Sequence, residues 1–104
     1  MKTPAECATL DEVRAEIDRI DEQVIILLGQ RAGFVHAAAR FKNTEAEVSA
    51  PERFAAMLKV RRQWAEREGL SPDVLEKIYR DLVTYFIARE KEHWQAQSRP
   101  IPLP

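Results

Sequence analysis

Apolar residues recur along the first forty positions at alternating intervals of three and four: Leu10, Val13, Ile17, Ile20, Val24, Leu27, then Val35 and Ala38. That spacing is one face of an α-helix and not the two-residue alternation of a strand. Thr9-Leu10-Asp11-Glu12 opens the pattern as a capping box, with a hydroxyl at the N-cap and a glutamate three residues on. The seam predicts a helix reaching about Phe41 or Lys42. Gly29 and Gly33 weaken it locally, by roughly 1 kcal/mol each relative to Ala.

Asn43 to Ala50 is polar and rich in small residues, which predicts a loop. Pro51 suits the first position of a second helix, whose one face carries Phe54, Met57, Leu58, Arg61 and Trp64. Gly69 is placed to end it. Ser71-Pro72-Asp73 starts a third helix by the same cap-then-proline logic, with a stripe of Leu75, Ile78, Leu82 or Val83, Phe86 and Trp94. From Ser98 onward, Pro100, Pro102 and Pro104 predict an irregular tail. The pattern is all-α: one domain over residues 1–97 with one long and two shorter helices, and a tail over 98–104.

The first helix is too long for such a domain to cover. About 32 helical residues make a rod of roughly 48 Å, whereas a compact domain of this size has a radius of gyration of about 13 Å. Either the rod breaks at Gly29–Gly33 or a second chain covers its seam. The seam keeps its phase through the glycines, which favours a homodimer.

Composition narrows the function. With 104 residues, 45% apolar and 32% charged but a net charge of only −1, the chain lacks the basic balance of a nucleic-acid binder. The longest apolar run, Val24 to Leu28, is far too short to span a bilayer, and the N-terminus lacks an apolar signal region. Cys7 is the only cysteine, so no internal disulfide and no cysteine-based metal site can form; a cytoplasmic setting is expected. His36 and His93 lie far apart in the sequence and read as surface or packing residues. No metal, cofactor or nucleophile motif is present.

What stands out is charge inside the apolar seams. Arg31 and Lys42 occupy positions where the first seam calls for an apolar residue, Arg14 borders the same stripe, and Glu90 falls between Phe86 and Trp94 on the third helix. Burying an ion without a partner costs several kcal/mol. Snorkelling or salt bridges, such as Arg31 with Glu90, would satisfy any one of them. Three cations against one acid leave positive charge for a bound anion, and an arginine fork suits a carboxylate. Arg14 and Arg31 are ~25 Å apart along one helix. They can serve one small ligand only if Arg14 comes from a second chain. A non-catalytic helical dimer, with buried charges that only fix its register, is the alternative of another class.

These residues resemble the all-helical chorismate mutase family. The likeness lies in Ile17-Asp18-Arg19-Ile20-Asp21, in Arg31 eleven residues before Lys42, and in Ala50-Pro51-Glu52-Arg53 at the start of the second helix. Met1-Lys2-Thr3-Pro4, Ala39-Arg40-Phe41-Lys42, Ala55-Ala56-Met57-Leu58 and Trp64-Ala65-Glu66 are similar to its isochorismate pyruvate lyase branch. The resemblance covers residues 1 to 95. It implies an intertwined homodimer with two shared sites, a cofactor-free pericyclic reaction, and a small dicarboxylate substrate, isochorismate or chorismate.

By the same resemblance Arg14 visits from the partner chain and Arg31 grips a substrate carboxylate. Lys42 donates to the carboxylate and the ether oxygen, and Arg53 lines the entrance. The implied reaction splits isochorismate into salicylate and pyruvate, supplying siderophore-type salicylate; conversion of chorismate to prephenate is the alternative. Two positions depart from the family pattern. Phe54 stands where mutases usually carry a glutamate for the substrate hydroxyl, which points to the lyase. Glu90 stands where glutamine is common; a glutamate donates to the ether oxygen only when protonated, a form that apolar surroundings favour.

Overall fold

A computed structural model describes residues 1–98. The chain divides into two compact units, residues 1–34 and residues from 35 onward, with the first long helix running across the division. Among the described residues there is no strand.

The first unit begins with a 3-10 turn, Pro4–Glu6, and continues into helix α1, Leu10–Ala38. The predicted capping box forms with one change of partner. The Glu12 N–H donates to Thr9 Oγ1 at 3.1 Å, while the Glu12 carboxylate accepts from Ala8 N–H, one residue before the cap. Lys2 closes on the same carboxylate at 2.8 Å and, chiefly, holds Glu12 below its usual carboxylate range, with the Ala8 N–H second.

No residue of α1 is buried. Ile17 is 51% exposed and Leu27 60%, and Leu10, Ile20, Val24, Ile25 and Ile26 are similarly open. A helix in water owes most of its stability to packing of its apolar face. Here that face has no partner within the described residues, which leaves an unusually large apolar stripe exposed. The seam foreseen from the sequence is therefore present and unburied.

In the second unit the last turn of α1 tightens into a 3-10 turn at Ala39–Phe41. Helices α2 (Glu45–Ser49), α3 (Pro51–Arg67) and α4 (Pro72–Ser98) follow. The predicted loop is thus corrected: five of its residues are helical. Thr44 caps α2 through Oγ1 to the Glu47 N–H at 3.1 Å, and the Glu47 carboxylate accepts from Asn43 N–H. This repeats the α1 arrangement, and Thr44-Glu45-Ala46-Glu47 carries the same capping-box signature.

Helix α3 packs along α4 and α2 packs on α4. The buried apolar residues are Ala39, Val48, Met57, Leu58 and Ala65. Arg62 ties the two long helices by reaching Asp73 at 2.8 Å and Glu76 at 3.6 Å. Gly69 ends the α3 turn at φ +75°, a conformation that favours glycine. Trp64, read as core from its spacing, is instead half exposed, with the Arg61 guanidinium 4.7 Å above its ring. No helix among the described residues is long and apolar enough to cross a membrane. The expected tail at 99–104 lies outside the described residues.

Candidate functional site

In the second unit two of the expected residues meet at Lys42. The backbone leaves the Ala39–Phe41 turn there in an extended conformation (φ −106°, ψ 130°), and the Lys42 N–H closes the turn on Ala39 O at 3.3 Å. Ala39 is small and buried at this point, which lets the chain turn close to the helix behind it. From this position Lys42 Nζ donates to Glu90 Oε1 at 2.8 Å.

Glu90 lies mid-way along the last turns of α4, one turn from the half-buried Phe86 and one from the half-buried Trp94. Its side chain is 5% exposed, that of Lys42 22%. Glu90 is the buried charged residue among those described, so its carboxylate depends on the ammonium for compensation. The pair leaves one edge of the lysine open to water and one carboxylate oxygen outside this contact.

Helix α2 flanks this pair. Val48 is 2% exposed, the most completely buried side chain described, and pins α2 to α4. Gln95 Nε2 donates to Glu45 Oε1 at 3.2 Å and ties the two helices a second time. Ala50 then takes a left-handed conformation (φ 40°, ψ 59°) so that α3 can start at once with Pro51. Arg53 stands exposed on the first turn of α3. Phe54 beside it is half-buried, with the Arg80 guanidinium 5.9 Å from its ring centre.

The structure thus brings together two of the five expected residues, Lys42 and Glu90, and joins them directly. Arg14 and Arg31 belong to the first unit, where Arg14 is exposed and Arg31 half-buried. At ~25 Å along α1, one copy of each cannot grip one small molecule. Sequence reasoning named Lys42 and Glu90 without recognising them as each other's partner, because they lie 48 positions apart and no local periodicity links them. His36 and His93, read as unrelated, also meet: their ring centres are 4.4 Å apart. Among the described residues no group of three or more His, Cys, Asp or Glu could hold a metal ion.

Comparison with known proteins sets this geometry in a family. Residues 13–91 match the family described as Chorismate mutase type II. The chain is 43% identical, over 95 residues, to the isochorismate pyruvate lyase of Pseudomonas aeruginosa, covering 91% of this chain and 94% of that protein. It is also 34% identical over 84 residues to the T-protein of Haemophilus influenzae, and 35% identical over 74 residues to that of Enterobacter agglomerans. These alignments take in 80% and 70% of this chain but only 22% and 20% of the T-proteins. With its all-helical architecture and its match over most of its length, the chain belongs to the chorismate mutase type II family.

Proposed function

We propose that this protein is an isochorismate pyruvate lyase that eliminates pyruvate from isochorismate to leave salicylate, without a cofactor. The observation that carries the reading is the Lys42–Glu90 pair, an ammonium and a carboxylate held together in a nearly closed apolar setting. The 43% identity across almost the whole of the Pseudomonas aeruginosa lyase supports it. Phe54 supports the lyase over the mutase, because a phenyl ring offers no acceptor for a substrate hydroxyl.

The chemistry asks for little beyond position and charge. The bond from ring carbon to ether oxygen breaks, a hydrogen on the neighbouring ring carbon passes to the vinyl CH₂, and the products are pyruvate and an aromatic ring. No nucleophile is consumed. The protein has to hold the side chain over the ring and stabilise charge growing on the ether oxygen. In this reading Arg31 grips one carboxylate and the Lys42 ammonium leaves Glu90 for the substrate's carboxylate and ether oxygen. In its carboxylic acid form Glu90 donates its O–H to the ether oxygen. Arg53 lines the entrance.

The exposed seam of α1 supports a homodimer in which a second α1 covers Ile17, Ile20 and Val24 and brings Arg14 to the partner's Lys42 site. A cytoplasmic setting, with salicylate feeding siderophore formation, completes the proposal. The mutase reading has one observation in its favour, the family description itself.

Incubating the purified protein separately with isochorismate and chorismate separates these readings. Salicylate with stoichiometric pyruvate from isochorismate supports the lyase. Prephenate from chorismate at a greater kcat/KM would replace it with the mutase, and turnover of neither would leave a non-catalytic dimer. If Glu90 donates to the ether oxygen, Glu90→Leu, which leaves no hydrogen-bonding group there, lowers kcat by at least tenfold, and near-parent turnover in the variant would remove Glu90 from the role.

A further inference from the structure

His36 sits in the last turn of α1 and His93 near the end of α4, and the fold of the second unit alone brings their rings to 4.4 Å, tilted by 51°. Neither residue has a part in the reaction proposed above. His36 is exposed and His93 half-buried.

Metal geometry gives that distance a meaning. An imidazole nitrogen binds a first-row divalent metal at ~2.0–2.1 Å, which puts each ring centre about 3.2 Å from the ion. Two such rings at right angles have centres about 4.5 Å apart, and at the tetrahedral angle about 5.2 Å. The observed separation matches the right angle. Binding asks each ring to turn one of its nitrogens toward the ion, a rotation about χ2.

We propose that His36 and His93 form a two-imidazole site for a divalent transition metal that prefers right-angled coordination, Cu²⁺ or Ni²⁺, with water in the remaining positions. Tetragonal and octahedral ions suit it better than tetrahedral zinc. Since no third His, Cys, Asp or Glu joins the pair among the described residues, the site is a moderate-affinity one. Arg40, one turn beyond His36, and Arg89, one turn before His93, add exposed positive charge that opposes a dication and weakens it further. A bound ion would clip the end of α1 to α4, six residues before Lys42 and three after Glu90.

Calorimetric titration of the tag-free protein with NiCl₂ at pH 7.5 tests this. One Ni²⁺ per chain is expected, bound more tightly than Zn²⁺, with His36→Gln and His93→Gln each weakening it at least tenfold and Cys7→Ser leaving it unchanged. Saturating Ni²⁺ should raise the thermal midpoint of the parent protein and not of either variant. His36 is exposed, so His36→Gln keeps the test decisive even if His93→Gln folds poorly. Equal Ni²⁺ binding by parent and His36→Gln, no binding at millimolar Ni²⁺, or tighter binding of Zn²⁺ would each overturn the proposal.

Discussion

Replacing Lys42 by methionine removes the ammonium and leaves the Glu90 carboxylate, 5% exposed, without its cation. At 2.8 Å the gross attraction is about 6 kcal/mol for an effective dielectric near 20, and desolvation of the two ions offsets most of it. Breaking a fully buried pair costs about 3–5 kcal/mol. Lys42 is 22% exposed, so water reaches the stranded carboxylate and about 2–3 kcal/mol is expected. Glu90→Leu should cost less, roughly 1 kcal/mol, because the freed lysine can turn to solvent. The double variant replaces both ions with apolar groups and should lie within about 1 kcal/mol of the parent. A coupling energy of roughly 3 kcal/mol follows. Urea unfolding of the four proteins at one fixed concentration reads it, since association shifts the apparent stability of any dimer. Coupling below about 0.5 kcal/mol would refute the stabilising role given to the pair.

Three further outcomes follow from other parts of the chain. Ala50→Gly should raise stability by roughly 0.5–1 kcal/mol, seen as a higher urea midpoint. Glycine removes the left-handed strain at φ 40° and caps α3 better than alanine, and these gains exceed its unfolded-state cost. The Glu12 carboxyl is held below its usual range by Lys2 first and by the Ala8 N–H second. Stability from this contact is present above the ordinary carboxylate value and lost as pH falls through the lowered one. The protection factor of the Ala8 amide, corrected for intrinsic exchange, should thus hold at pH 5 and fall only in stronger acid. Ile17→Lys puts a charge into the exposed seam and should convert a dimer to a monomer or an unfolded chain in sedimentation equilibrium. An unaltered dimer would place the interface elsewhere.

The local punctuation of the fold was legible because it is local chemistry. Thr9 with Glu12, Pro51, Ser71-Pro72 and Gly69 each act within one turn, and each marks the end of an element in the structure. Thr44 with Glu47 uses the same grammar. The surrounding Asn43–Ala50 stretch is short and polar and hides it, although Val48 is buried and Gln95 reaches Glu45 to hold this five-residue helix. The site was legible in part. A cation and an acid at apolar register positions flagged Lys42 and Glu90, but periodicity along one helix says nothing about which other helix a side chain meets. The same limit hid the approach of His36 to His93, which depends on how the end of α1 lies on α4. The α1 seam was legible because its three-and-four spacing is set within one helix; that α4 would be nearly as long as α1 was not, since the stripe from Leu75 to Trp94 was read as a shorter helix.

The central claim is that one site is assembled from Arg14 of one chain and Lys42 of another. Arg14→Ala and Lys42→Ala proteins, each inactive alone, should be unfolded together, refolded as an equal mixture and assayed for salicylate. Half of the dimers formed are then mixed, and each mixed dimer holds one site with both residues intact. Activity should return to about a quarter of the parent value. If Arg14 and Lys42 act within one chain, every site in the mixture carries a defect, and activity that stays at the level of the separate variants would contradict the shared site.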